Sequence, residues 1–242
     1  MRMKRFSIYI IAIILCFTAA GCRRTAPLRT IPAIPPENES KTILILGNSF
    51  IGSSQIGEFL NNMLKQAGSE YSVVAIAQGY ATVSTYSCDP EWMAEISRGN
   101  YCYVFQCGFY TPGEKEEFEA IKQVCSAANT GIIAFPAHNE DPNAVDKISK
   151  EDCLNWKAEI DALIAAGVPY EHLCMDDMHQ HSTPLAGYIG AHLIYRNLFD
   201  EIPPELGDGA PLTAAEVTEQ LGNYVKTGVI NMRKSKVQRT VS

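Results

Sequence analysis

The stretch Lys41-Thr-Ile-Leu-Ile-Leu-Gly47 constrains this chain more than any other. Four aliphatic side chains in succession leave no polar face, so a strand here must be covered on both sides. That is the situation of a strand inside a parallel sheet packed between helices. The run ends at Gly47, and Ile56, Phe59, Leu60, Met63 and Leu64 then recur at helical spacing. Ser53 or Ser54 can cap that helix and Gly68 can stop it. A strand, a short loop and a helix open an α/β domain.

The alternation continues along the chain. Residues 71–77, 101–106, 131–136 and 172–175 read as strands, and 114–128, 151–166 and 183–199 as helices. The capping box Thr213-Ala-Ala-Glu216 opens a last helix. Strands alternating with helices predict an α/β fold, a flavodoxin-like three-layer α/β/α arrangement around a central parallel sheet. With 242 residues and no internal repeat, one such domain over 41–242 accounts for most of the chain.

The first forty residues differ in kind. Arg2, Lys4 and Arg5 precede an apolar run over 8–17, and Ala19, Ala20 and Gly21 lead into Cys22. Charge, a short apolar run and small residues in this order make a secretion signal over 1–21, too short for a comfortable membrane span. A Cys directly after the small residues resembles the bacterial lipobox, with Ala19 where Leu is usual. The resemblance implies cleavage before Cys22, lipidation of Cys22, and a protein exported across the inner membrane and held on a bacterial membrane, periplasmic or at the cell surface. Residues 23–40, with four prolines and no apolar periodicity, are expected to form an extended tether behind the lipidated Cys22.

Cleavage would remove three of the 20 basic residues and none of the 27 acidic ones, leaving a net charge of about −10. A nucleic-acid partner would need a basic face, which this balance disfavours. It equally disfavours electrostatic adhesion to anionic lipid, so membrane attachment would rest on acyl chains. Cys88, Cys102, Cys107, Cys125, Cys153 and Cys174 show neither a C-x-x-C pair nor metal-ligand spacing, so no metal or cofactor is expected from them, and an oxidising compartment would permit disulfides without the spacing assigning any pair.

In open parallel sheets, sites form beyond the carboxyl ends of the strands. This directs attention to 47–53, 78–80, 106–109 and the loop after Met175. In the first, Ser49 of Gly47-Asn48-Ser49-Phe50 sits between a strand and a helix, where it can act as a helix cap or as a nucleophile. The last carries Asp176-Asp177-Met178-His179-Gln180-His181, two of the five histidines beside two carboxylates. A serine nucleophile needs an imidazole base, and the imidazole needs a carboxylate to fix its tautomer.

Together these residues resemble the SGNH/GDSL hydrolases, over residues 41 to about 200. Gly47-Asn48-Ser49 resembles the family's first block in its Gly-Asn-Ser form. Gly79 matches the second-block glycine, Gln106 falls where the family usually places an Asn, and Asp176 with His179 matches the terminal D-x-x-H. The resemblance implies a metal-independent serine esterase with Ser49 as nucleophile, His179 as base and Asp176 as its orienting acid. The Ser49 and Gly79 amides and the Gln106 side chain would form the oxyanion hole, although Gln106 is one methylene longer than Asn. Asp177 with His181 is the alternative pair, His181 lying seven residues before Tyr188, a distance found in some relatives. The implied substrate is an acyl ester, acetyl above all, with an acylated polysaccharide as carrier. A catalytically silent, glycan-binding surface lipoprotein is the alternative from another class. His138 is a secondary candidate for substrate contact and His192 for packing, Trp92 and Tyr80 are candidates for a sugar-binding rim, and His172 with His179 and His181 lacks the spacing of a metal site.

Overall fold

A computed structural model describes residues 29–207 and 209–221. The expected signal segment, Cys22 and the first part of the expected tether lie outside these residues.

The apolar run forms β1 (Thr42–Gly47), whose last five residues are buried. The expected single helix after it is two: α1 (Ser49–Ser54) and α2 (Ile56–Gln66), broken at Gln55, which adopts the left-handed conformation at φ 55°. Gly68, at φ 65°, ends α2 as expected. Then come β2 (Ser72–Ala77), two short helices that the pattern did not suggest, α3 (Val83–Ser87) and α4 (Pro90–Ser97), and β3 (Tyr103–Gln106). Helix α5 (Glu114–Ala127) leads to β4 (Gly131–Ala134) and the single turn α6 (Pro142–Val145).

The helix expected over 151–166 begins later, as α7 (Trp156–Ala165) capped by Asn155. Its start is delayed because Leu154 donates its N–H to Ala134 at the end of β4, which holds 153–154 extended. The strand expected over 172–175 is instead the turn α8 (Tyr170–Leu173), followed by a single antiparallel bridge between Cys174 and Ser182. Helix α9 (Pro184–Phe199) opens on the cap Thr183 with Pro184 in its first turn. Helix α10 (Ala214–Leu221) opens on the expected Thr213–Glu216 capping box.

Among the described residues the four strands of the sheet pair in parallel, in the order β2-β1-β3-β4, the first four positions of a flavodoxin-like sheet. Alternate residues face opposite layers. Ile43, Ile45, Tyr103, Phe105 and Ile133 meet α1, α2, α7 and α9. Leu44, Leu46, Val104 and Ile132 meet α3, α4, α5 and α6. The fold is therefore a three-layer α/β/α sandwich. The chain crosses from the β2 side of β1 to β3 on its other side, and the switch point falls at the carboxyl ends of β1 and β3.

The expected tether is partly something else. Residues 29–40 lie along the domain, with Ile31 only 4% exposed. Arg29 donates to the carbonyls of Asn197 and Leu198, Tyr103 Oη donates to the Pro32 carbonyl, and Asn38 Nδ2 donates to the carbonyls of Tyr101 and Asn129. A segment rich in proline gives up little further backbone entropy on docking, so a few such contacts suffice to hold it.

Candidate active site

Gly47 ends β1 in tight quarters: a Cβ there would run into Ile51 and touch Cys107. The fully buried Tyr86 donates its hydroxyl to the Gly47 carbonyl and fixes the strand end. Asn48 is the N-cap of α1, its Oδ1 accepting from Phe50 N–H at 3.0 Å. Its Nδ2 donates to Tyr110 Oη at 2.8 Å and to the Ala81 carbonyl at 3.3 Å. This buried side chain thus serves three segments while presenting the next residue, Ser49, at the head of α1.

The imidazole that meets Ser49 comes from the loop between α8 and α9. Met175 N–H donates to the His181 carbonyl and Thr183 N–H to the Leu173 carbonyl, closing the loop at its base. Inside it, Asp177 Oδ1 accepts from the N–H groups of His179 and His181 at 2.9 and 3.2 Å. Asp177 Oδ2 lies 2.7 Å from His181 Nδ1, and His181 Nε2 lies 2.8 Å from Ser49 Oγ. The hydrogen bond from His181, with help from the two backbone N–H groups, holds the Asp177 carboxyl below its ordinary value. An ionised carboxylate can only accept, so Nδ1 carries the proton and Nε2 is left to accept from the serine hydroxyl. Ser49, His181 and Asp177 therefore form a continuous hydrogen-bonded chain.

This geometry corrects the favoured register of the last block. Asp176 is exposed and is a hydrogen-bond partner of neither histidine. The reason is the turn: Asp177 binds N–H groups two and four residues ahead, and Gln180 adopts φ 53°. The His181 ring is thereby folded back over Asp177 and its own Nε2 aimed at Ser49. The His179 ring points elsewhere, edge-on to Tyr80 at 5.8 Å between centroids. Asn139 Nδ2 donates to the His179 carbonyl and steadies this part of the loop.

Ser49 opens onto a cleft of about 220 Å³ lined by Asn48, Phe50, Tyr80, Tyr110, Asn139 and His179. Phe50 also packs against the His181 ring at 5.0 Å. Gly79 adjoins Tyr80 in the turn after β2, where Ala81 N–H donates to the Gln78 carbonyl and Tyr80 takes φ 60°. Gln106 does not reach the cleft. It shares the parity of Val104, is fully buried, and turns Nε2 back onto the Cys107 carbonyl at 2.6 Å, with Oε1 unpartnered. The residue of that loop that does reach the cleft is Tyr110.

The secondary candidates separate in the same way. Tyr80 stands at the rim, 84% exposed, but Trp92 packs edge-on against Tyr86 and does not line the cleft. His138 pairs with Asp161 at 3.1 Å and His172 Nδ1 lies 2.8 Å from the Gln220 carbonyl. His192 is buried in α9 beside Tyr188. Of the cysteines, Cys102, Cys107, Cys125 and Cys174 are buried.

No family model matches the chain, and no curated protein matches it in sequence. Among solved structures it is similar to a psychrotrophic esterase, EstA, from Pseudoalteromonas sp., at 13% identity and a TM-score of 0.48, over 65% of this chain and 96% of that one. It is similar to a DUF4886 family protein from Bacteroides uniformis at 10% identity and 0.44, over 78% and 95%. A further similarity is to LAE5, an α/β hydrolase from the metagenome of Lake Arreo in Spain, at 15% identity and 0.47, over 65% and 94%.

Proposed function

We propose that this chain is an extracytoplasmic serine esterase of the SGNH type that removes short acyl groups, acetyl above all, from an extracellular carbohydrate. It is held on a bacterial membrane through lipidated Cys22. The observation that carries the catalytic reading is the chain Ser49 Oγ, His181 Nε2, His181 Nδ1, Asp177 Oδ2, with successive gaps of 2.8 and 2.7 Å at the mouth of a cleft.

In the first half-reaction Ser49 Oγ attacks the ester carbonyl while its proton passes to His181 Nε2. Asp177 holds Nδ1–H and stabilises the imidazolium. The carbonyl electron pair moves onto oxygen, then returns to expel the alcohol, which takes the proton from Nε2. Water repeats the sequence on the acyl-serine and regenerates Ser49. The amides of Ser49 and Gly79 are the proposed backbone donors to the oxyanion. A short acyl group is supported by the cleft's size, below the ~300–1,000 Å³ typical of drug-sized ligand sites. A carbohydrate carrier is supported by Tyr80, whose exposed ring beside the nucleophile offers a stacking face.

Hydrolysis of p-nitrophenyl acetate, butyrate and octanoate by the wild type and Ser49→Ala tests this. The acetate should be the best substrate, and the variant should lose roughly three orders of magnitude or more in kcat with an unchanged thermal transition. Full activity in Ser49→Ala would remove the nucleophile assignment. A wild type inert on all three, yet retained by an acylated polysaccharide, would favour the silent glycan-binding reading.

A further inference from the structure

The loop that follows β3 is held by two buried carboxyl groups in an unusual way. Glu140, 1% exposed, accepts from the N–H groups of Gly108 and Phe109 at 2.8 and 3.0 Å. Glu114, 3% exposed, accepts from the next two, Tyr110 and Thr111. Four consecutive amides are thus bound by side chains from two different segments. The carbonyls on the loop are engaged too, Gly108 accepting from Val83 N–H and Phe109 from Asp141 N–H. Gly108 is required here, because at φ 103° a Cβ would meet the backbone of Ala81 and Thr82. Burying two carboxyl groups is costly unless they are well satisfied. In this loop the satisfied groups fix one side chain in the cleft, that of Tyr110.

The Tyr110 hydroxyl accepts from Asn48 Nδ2 at 2.8 Å. An amide N–H₂ can only donate, so the phenolic proton is not used in that bond and remains available. Tyr110 lines the same cleft as Ser49, and Ser49 directly follows Asn48, the cap that the Tyr110 hydroxyl contacts. Gln106 is turned away, so the side-chain position of the oxyanion hole is open.

We propose that Tyr110 Oη is the side-chain donor of the oxyanion hole, a role that rests on the serine-esterase reading above. As Ser49 Oγ bonds to the ester carbon, the carbonyl π pair localises on oxygen and Tyr110 O–H donates to it without transferring its proton. Asn48 Nδ2, donating to the same phenol, polarises the O–H bond and strengthens that donation. When the tetrahedral species collapses the pair returns and the hydrogen bond relaxes. Burial pushes the Tyr110 phenol well above its ordinary value, so the donor stays protonated across the working range.

Tyr110→Phe tests this, assayed beside the wild type and Ser49→Ala on p-nitrophenyl acetate and for phosphonylation of Ser49 by an organophosphonate ester. Loss of one oxyanion donor should lower kcat by ~10²–10³-fold with KM within a few-fold, and slow labelling in parallel. Replacement of Tyr110 by a fluorinated tyrosine of more acidic phenol gives a second readout. Its pH–rate profile should gain a falling alkaline limb as the donor ionises, an effect that a packing role would not produce. A Tyr110→Phe enzyme within about threefold of wild type, or a fluorotyrosine profile without the new limb, would overturn the proposal while leaving Ser49 in place. If Tyr110→Phe fails to fold, the fluorotyrosine profile decides. A wild type that neither hydrolyses esters nor takes up the phosphonate would overturn the esterase reading itself, and this proposal with it.

Discussion

Gln180 separates two histidines that face different partners, and its left-handed backbone turns them apart. His181→Ala should cost about three orders of magnitude or more in kcat, while His179→Ala should act mainly through KM, since its ring forms cleft wall beside Tyr80. Steady-state kinetics on one short ester separates the two; a dead His179→Ala with a live His181→Ala would reverse the assignment. The sequence put both acid–base pairs within reach, but D-x-x-H spacing alone favours Asp176 and His179. What decides is the Asp177 carboxylate binding the backbone of its own loop, a choice that spacing cannot express. Gln106 was misplaced for a related reason: strand parity sends it into the helix layer, and Tyr110 lies four residues further on, where the loop turns over the cleft. Glu140 had no sequence signal at all. Burial raises its carboxyl from 4.5 to about 8, with nearby Glu114 adding to the rise and the three backbone N–H groups of Phe109, Ala137 and Gly108 opposing it. The folded state therefore holds a proton that the unfolded chain has already lost. The stability this contributes is full below about pH 4.5 and declines as pH rises through about 8. Urea titrations at intervals from pH 4.5 to 8 should show that decline in the wild type and a flatter profile in Glu140→Gln. Equal slopes would mean that Glu140 does not carry it.

Helix α9 and helix α1 meet at Gly187, where a Cβ would fall on the Ser54 carbonyl. Ser53 Oγ also donates to the Ser182 carbonyl at 3.0 Å, so the helix that starts at Ser49 is tied to the loop that ends at His181. Gly187→Ala should force the two helices apart, lowering stability by about 1–3 kcal/mol. It should also reduce kcat more than that loss of folded protein explains, because the 2.8 Å gap between Ser49 and His181 spans this contact. Denaturant midpoints and kcat on the folded fraction test the two parts separately. At this scale most of the fold was readable. The doubly buried run at β1, the period of α2, the helical spans at 114–128 and 183–199, and the capping box at Thr213 all mark elements that are present. Helices α3 and α4 are short and carry little periodicity, which hides them in the sequence, although Asp89 and Pro90 form a legible start for α4. The missing strand at 172–175 has the opposite cause. Leu173 and Cys174 are buried as a strand would be, but the chain folds back on itself at Ser182 rather than joining the sheet.

For the molecule as a whole, the segment 29–40 belongs to the domain, and a chain begun at residue 41 should be less stable than one begun at residue 29. Exposing the Ile31 pocket and freeing the carboxyl end of α9 should lower Tm by roughly 5–10 °C. Thermal melts of the two chains measure it, and equal midpoints would return 29–40 to the role of a free tether. The same segment has a geometric consequence. Arg29 sits at the carboxyl end of α9, whose other end begins three residues after His181. A helix of this length separates its ends by about 24 Å, so the chain enters the domain at the pole opposite the cleft. The seven residues from Cys22 to Arg29 can extend no more than about 25 Å. With Cys22 as the anchor, the bottom of the sheet would be drawn toward the bilayer and the cleft would look outward. Such an orientation puts esters within the same membrane out of range and leaves those projecting from the surroundings as the ones Ser49 meets.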